Sequence, residues 1–437
     1  MAPDMTRIGP AREEALQALR RTQRGLSVSD AIQAARPLEA SDRALMAQLV
    51  YGVLRHRRYL DAWVLPWLRG PLDEVIADIL RIGLFQLEFL DRVPSYAAVN
   101  AAVEQAKVHK PRAANLVNAL LRRAQRERPQ GLTLGERYSH PDWLVERWRT
   151  RYGDQLETVL AADNEVPPLT VRVNLAATSR EAVMDEIRRT GADAQPSPYL
   201  PEAVRVSGSI WLEDLEAFQR GWITVQDESG MLVAWILDPM PGDHILDMAA
   251  GLGGKALHAL EKAPGSLLTA LDISAKRLQL LDENLTRTHL GPRVQTVAGP
   301  AEDFAAEHPR RFERVILDAP CSGLGVLRRR VDARWTKRDT FEEMAARQRR
   351  LLEAALQTTA PGGVVVYSTC STEPEETQAV LEDVLKERRD WRRRDVRAFL
   401  PHPALAERVE EGCLVLAPGD FGMDGFFIAR LEQGGHA

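Results

Sequence analysis

Two cysteines occupy short, chemically pointed segments: Cys321 in Asp318-Ala-Pro-Cys-Ser-Gly and Cys370 in Tyr367-Ser-Thr-Cys-Ser, each just after a β-branched apolar run. A strand cysteine commonly packs as a small hydrophobe, and Cys413, in Glu411-Gly-Cys-Leu-Val-Leu, is read that way. Cys321 and Cys370 differ because polar and conformationally special residues flank both. A thiol at a strand end is placed for nucleophilic attack or for proton transfer. Asp318 adds a carboxylate to the same segment as Cys321.

The elements that must position these groups follow from the apolar pattern. Arg314-Val-Ile-Leu and Gly363-Val-Val-Val read as buried parallel strands. His244-Ile-Leu-Asp, Ser266-Leu-Leu-Thr-Ala-Leu-Asp and Arg293-Val-Gln-Thr-Val precede them, separated mostly by helical stretches. This alternation predicts a doubly wound, mainly parallel sheet over residues 226–437, with ligands at its carboxyl edge. The first of these strands ends at Asp247 and runs into Met248-Ala-Ala-Gly-Leu-Gly-Gly-Lys255. The small residues Ala249, Ala250, Gly251, Gly253 and Gly254, with Leu252 among them, let backbone approach a ligand and present helix N-terminal amides to it. Ala249 stands where a phosphate-binding Walker loop needs glycine, and Ala256 follows the lysine, so that loop is excluded. Asp272 ends the next strand and is placed to accept two ribose hydroxyls. No glycine lies three residues after Gly253, so the full dinucleotide fingerprint is missing. The turn and carboxylate fit either a dinucleotide or an adenosine-containing methyl donor.

Two thiols and a carboxylate beside an adenosine pocket suit methylation of a poorly nucleophilic carbon, such as C5 of cytosine. A thiolate adding to C6 turns C5 into a nucleophile; a group at the N3/N4 edge holds the ring; a base then removes the C5 proton and the thiol leaves. Cys370, Asp318 and Cys321 are the candidates for these roles.

The rest of the chain divides further. Residues 10–128 carry only helical periodicity, with starts expected at Ser41-Asp42 and Ser95, and residues 1–130 are expected to form a helical bundle. Residues 131–225 mix patterns: Leu169-Thr-Val-Arg-Val-Asn and Ala203-Val-Arg-Val-Ser read as strands. Thr178 with Glu181 reads as a capping box for a helix ending at Arg189, and the whole predicts a small α+β module. The net charge of −5 conceals an asymmetry, because residues 1–130 hold 20 Lys and Arg against 14 Asp and Glu. Three cysteines cannot build a disulfide framework, and neither an N-terminal apolar h-region nor a long apolar span is present. A cytoplasmic location without membrane contact is therefore expected.

The two cysteine motifs, extended to Asp318-Ala-Pro-Cys-Ser-Gly-Leu-Gly-Val-Leu-Arg-Arg-Arg and Tyr367-Ser-Thr-Cys-Ser-Thr-Glu-Pro-Glu-Glu, closely resemble those of the bacterial Fmu/Sun-type 16S rRNA cytosine-5 methyltransferases of the Nol1/Nop2/Sun group. Gly422-Met-Asp-Gly-Phe-Phe-Ile-Ala-Arg-Leu is similar to that family's final strand. Asp42-Arg-Ala, Tyr51-Gly-Val-Leu-Arg, Ala98-Val-Asn and Val117-Asn-Ala-Leu-Leu-Arg resemble its NusB-like helical domain. Ser139-His-Pro-Asp-Trp-Leu-Val and Val171-Arg-Val-Asn resemble its middle region. The resemblance implies a NusB-like bundle, an RRM- or ferredoxin-like middle module and a Rossmann-like class I methyltransferase domain. It also implies S-adenosylmethionine as cofactor and 16S rRNA as partner; no metal and a monomer are expected.

Carried over by position, Cys370 is the nucleophile, Cys321 assists product release, Asp318 contacts the cytosine, Lys255 lines the pocket and Asp272 holds the donor's ribose. The family's loop Asp-x-Cys-Ala-Ala-Pro-Gly-Gly-Lys has Ala249, Gly251 and Leu252 here in place of its Cys, second Ala and Pro. Pro300 follows Gly299 where an acidic residue is usual, leaving Glu302 or Asp303 to reach the adenine amine. Arg328, Arg329, Arg330, Lys337 and Arg338 are expected phosphate contacts. Other readings are a non-catalytic RNA-binding or assembly protein with an impaired donor site, and a DNA cytosine-5 methyltransferase. The retained thiols and Lys255 oppose the first, and the second thiol motif and helical bundle oppose the other.

Overall fold

The computed structural model describes residues 8–208, 210–335 and 340–434. Two compact units share the chain: one takes the residues up to Val166 and a segment starting at Leu327, and the other runs Pro167–Val326 and resumes after that segment.

In the first unit the helical stripes fold as α1 (Pro10–Gln23), α2 (Val28–Gln33), α3 (Ala40–Arg55), α4 (Arg57–Val64), α5 (Glu74–Phe89), α6 (Ser95–His109) and α7 (Ala114–Ala124). The short α8 (Leu134–Arg137), α9 (Asp142–Tyr152) and α10 (Leu156–Ala162) follow. The apolar faces of α1 to α7 meet in one core around Leu49, Val50, Val53, Leu84, Val99, Val117 and Leu121. Helix α5 starts at an Asp73 cap, whose side chain accepts the Val75 amide at 3.0 Å. Helices α3 and α6 start otherwise than expected: Glu39 and Pro94 hold their N-cap positions without side-chain caps. Burial of the apolar face sets those helices, since tertiary packing outweighs a single cap.

The segment from Leu327 belongs to this core. Val331 is fully buried in it, and Trp335 Nε1 donates to the Leu54 carbonyl at 2.7 Å. Arg334 donates to the carbonyls of Arg55, Ser139 and Asp163 and to Asn164 Oδ1, and Arg55 donates to the Arg328 carbonyl. This corrects one expectation. Arg328, only 1% exposed, is no surface phosphate contact; its charge instead favours the ionised form of Asp163, whose carboxyl burial pushes up to about 7. A charged run reads as solvated in sequence. Arg334, also buried, is taken inside by the helix C-terminal carbonyls of Arg55 and Asp163, which accept its guanidinium. Arg329 is partly exposed and Arg330 exposed, whereas Lys337 and Arg338 lie outside the described residues.

The second unit opens with a four-stranded antiparallel sheet, ordered β2-β3-β1-β4, from β1 (Leu169–Val173), β2 (Asp193–Pro196), β3 (Ala203–Ser207) and β4 (Ile223–Val225). Helix α11 (Arg180–Arg189) packs Val183 and Ile187 against Val171, Val204 and Ile223. Its cap is Ser179, whose Oγ accepts the Ala182 amide, not the expected Thr178–Glu181 box. Thr178 is occupied in the preceding turn, where its amide donates to Asn174.

After the short α12 (Glu216–Gln219) and α13 (Glu228–Leu237) comes β5 (His244–Asp247), α14 (Gly254–Lys262), β6 (Leu267–Asp272), α15 (Ala275–Thr288), β7 (Val294–Ala298), α16 (Ala301–Glu307) and β8 (Phe312–Asp318). Then follow α17 (Phe341–Thr358), β9 (Thr359–Thr369), α18 (Gln378–Glu387), β10 (Trp391–Arg394), β11 (Val409–Glu410), β12 (Cys413–Leu416) and β13 (Phe426–Gln433). The nine-stranded sheet is ordered β11-β12-β13-β9-β8-β5-β6-β7, with β10 also on β13. Strands β9-β8-β5-β6-β7 are parallel, and β13 joins β9 antiparallel. Apolar residues fill both faces: α13, α14 and α15 cover one, α16, α17 and α18 the other. The strand order reverses direction at β5, so the loops after β5 and β8 open the crevice that such sheets use for ligands.

Candidate active site

On the donor side, the loop after β5 is closed by Asp272 at the end of β6. Its Oδ2 accepts the Gly251 amide at 2.9 Å and its Oδ1 the Ser274 amide at 2.8 Å. Gly251 and Gly253 take φ values of +56° and +85°, which favour glycine, and a Cβ on Gly253 would come within 2.4 Å of Leu281. Asp247 lies beneath the loop and accepts the Ala249 amide at 3.1 Å. Burial pushes its carboxyl up to about 7; the Ala249 bond opposes that shift and the Asp318 charge adds to it. Of the altered positions, Gly251 still brings its amide to Asp272 and Leu252 is exposed, so neither prevents closure. Glu302 and Asp303 are exposed in the first turn of α16, and Glu302 faces Arg350 at 3.8 Å.

On the reacting side, β8 and β9 pair so that Asp318 stands opposite Ser368, and Ser368 Oγ donates to Asp318 Oδ1 at 2.9 Å. Lys255, the second residue of α14, donates from Nζ to Asp318 Oδ2 at 2.7 Å. Burial opposes the ammonium, but Asp318, with contributions from Cys370 and Asp247, outweighs that and raises the amine pKa. The two thiols, not joined in a disulfide, meet directly, with Cys321 Sγ 3.1 Å from Cys370 Sγ. That hydrogen bond first, then burial and the charges of Cys370, Glu376 and Asp318, push the Cys321 thiol well above its ordinary value. Cys413 is fully buried, and burial pushes its thiol up to about 11, as suits a packing residue.

Residues not singled out from sequence hold the thiol loops. Glu376, fully buried, accepts the Ser322 amide at 2.7 Å and the Ser322 hydroxyl at 2.5 Å. Its carbonyl accepts the Tyr367 hydroxyl, and Gln348 Nε2 donates to the Pro320 carbonyl. Gly325 donates to the Cys370 carbonyl at 3.0 Å and accepts from Gly425 at 2.8 Å. Glu376 lies within the second cysteine motif, which was the available signal.

Residues 234–432 match the family model described as 16S rRNA methyltransferase RsmB/F. Residues 9–126 match a NusB family model, and residues 140–212 a ferredoxin-like domain model of RsmF/B-like methyltransferases. The ribosomal RNA small subunit methyltransferase B of Xylella fastidiosa (strain Temecula1) is 38% identical over 415 residues, 93% of this chain and 94% of the relative. The chain belongs to the 16S rRNA methyltransferase RsmB/F family. A second relative of the same name, from Pectobacterium carotovorum, is 34% identical across 91% of this chain and 92% of its own. The crystal structure of PH0851 superposes with a TM-score of 0.79 at 23% identity, covering 97% of this chain and 99% of that one. NSun6 from Pyrococcus horikoshii does so with a TM-score of 0.58 at 23% identity, covering 67% and 98%. These two likenesses show the fold.

As a methyltransferase of the RsmB/F family, the protein has S-adenosylmethionine as its cofactor. The loop fits that group: the buried Asp272 carboxylate at the end of β6, Gly251 and Gly253 backbone at positive φ, and the small residues Ala249 and Ala250 beside them. Among the described residues no helix is long and apolar enough to cross a membrane, and no cluster of His, Cys, Asp and Glu could hold a metal.

Proposed function

We propose that the protein methylates carbon 5 of a cytosine in 16S rRNA through a covalent bond between Cys370 and C6 of the ring. The observation that carries this reading is the 3.1 Å pairing of Cys321 and Cys370 in the unit that also holds the Lys255–Asp318 ion pair. S-adenosylmethionine supplies an electrophilic methyl group. Cys370, as thiolate, bonds to C6, and the electron pair displaced onto the ring is held at N3 by the Lys255 ammonium, while the Asp318 carboxylate accepts a hydrogen bond from the N4 amine. C5 then takes the methyl group. Once the Cys370 sulfur is bonded to carbon, Cys321 loses both its hydrogen-bond acceptor and the adjacent negative charge, two of the causes that kept its proton on. It can then release that proton to solvent and, as thiolate, take the C5 proton; the C5–H electron pair forms the C5–C6 double bond while the C6–S bond breaks and its pair leaves with sulfur, returning Cys370 as thiolate and Cys321 as thiol.

The ring edge is reachable only in an unstacked base, so the substrate is a flipped cytosine in a loop or single strand. Arg329 and Arg330 supply phosphate contacts, the helical bundle binds RNA, and the enzyme works as a cytoplasmic monomer. Incubating the full chain with radiolabelled S-adenosylmethionine and 16S rRNA, followed by bisulfite sequencing, tests the reading. One protected cytosine is expected; label on another base or none at all would overturn it.

A further inference from the structure

Arg172 lies outside both thiol loops and the glycine turn, yet its side chain is among the largest fully buried ones. It stands on β1 of the small sheet. Its Nε and Nη2 donate to the two oxygens of Glu261 at 3.0 and 2.8 Å, a bidentate pair with a carboxylate that is itself 6% exposed. Its Nη1 donates to the Gly254 carbonyl at 2.8 Å and also to Gln226 Oε1.

Gly254 is the first residue of α14 and Glu261 lies seven residues on, two turns along the same face. His258, between them on that face, faces Glu202 at 3.2 Å, and Glu202 immediately precedes β3 of the same small sheet. One guanidinium thus grips both ends of the helix, fixing its rotation and its position along the axis. Lys255 is the residue after Gly254, so the grip on the Gly254 carbonyl sets the direction in which Lys255 leaves the helix toward Asp318.

We propose that Arg172 is a positioning residue for the Lys255–Asp318 pair, so that the ferredoxin-like module helps build the active site rather than only adding surface to it. The claim rests on the methyltransferase reading only for its effect on turnover; its effect on Lys255 is independent of that reading.

The test uses the full chain with three variants. Arg172→Met combined with Glu261→Gln removes both buried charges, so no unpartnered ion is left to unfold the protein. Glu261→Gln alone keeps the bond to Gly254, and Arg172→Lys keeps the charge without the fork. Each is acetylated with acetic anhydride near neutral pH, and labelling of Lys255 is read by peptide mass spectrometry against the exposed Lys276.

In the double variant Lys255 labelling is expected to rise about tenfold and kcat to fall about tenfold to a hundredfold, the cost of a small misplacement. Glu261→Gln is expected to stay close to the parent in Lys255 labelling. Unchanged Lys255 labelling in a folded double variant, or in Arg172→Lys should the double variant not fold, would overturn the assignment. If the labelling contrast holds while the parent transfers no methyl group to RNA, the functional reading fails and the role of Arg172 stands.

Discussion

Ser322 donates to both oxygens of the fully buried Glu376, its amide to Oε1 and its hydroxyl to Oε2, tying the first thiol loop to the end of the second. Removing the carboxylate strands two donors. Glu376→Ala is expected to cost about 2–4 kcal/mol of stability, the range for breaking a buried charged hydrogen-bond set. It should also lower kcat far more than it weakens donor binding, because Asp272 and the glycine loop are untouched. Thermal melts and calorimetric titration with S-adenosylmethionine separate the two effects; an equal loss in donor affinity would count against this placement.

Gly325 is required by close approach rather than by its backbone angle. A Cβ there would lie 2.2 Å from the Gly425 carbonyl oxygen and 3.0 Å from that of Cys370. Gly325→Ala must push the two loops apart and is expected to destabilise by about 1–3 kcal/mol with loss of methyl transfer. Gly291→Ala, where nothing lies within 4 Å, is the control and should stay within about 0.5 kcal/mol of the parent. Equal melting temperatures for both variants would contradict the packing described.

Asp247 gives a stability signature in pH. Its carboxyl is pushed up from 3.8 to about 7, so the folded state binds this proton more tightly than the unfolded chain. Its contribution is fully present below the unfolded value and is lost as pH rises through about 7. Asp247→Asn keeps an acceptor for the Ala249 amide and removes the titration. Its melting temperature relative to the parent should therefore improve steadily from pH 4 to pH 7; a difference independent of pH would contradict the assignment.

How much of this was legible in the sequence depends on the kind of signal. The strands ending at Asp247, Asp272 and Asp318 are continuous apolar runs bounded by turn residues, and such runs announce buried parallel strands. The cysteine loops were equally plain, because their motifs are long. Glu376 was not, since a glutamate after proline reads like a solvated helix start, and only the fold puts Ser322 against it. Arg328 misled for a related reason: Arg328-Arg-Arg advertises a basic surface, and nothing local reveals that the first of the three is packed inside. Ser179 rather than Thr178 caps α11, one residue later than the Thr178–Glu181 spacing suggests, because the helix itself begins at Arg180.

Asp272 tests the donor pocket. Replacing it with Ala removes the acceptor of the Gly251 and Ser274 amides and the group placed for the ribose. Affinity for S-adenosylmethionine is expected to drop about tenfold or more, the equivalent of one or two hydrogen bonds to a charged group. Calorimetric titration of the variant against the parent measures it, and an unchanged affinity would move the donor site elsewhere.

The unequal roles of the two thiols are the centre of the account. Parent, Cys370→Ala and Cys321→Ala proteins are each incubated with S-adenosylmethionine and 16S rRNA and run on a denaturing gel. Cys321→Ala is predicted to accumulate a covalent protein–RNA band and Cys370→Ala to form none, whereas a band in Cys370→Ala but not in Cys321→Ala would contradict the assignment.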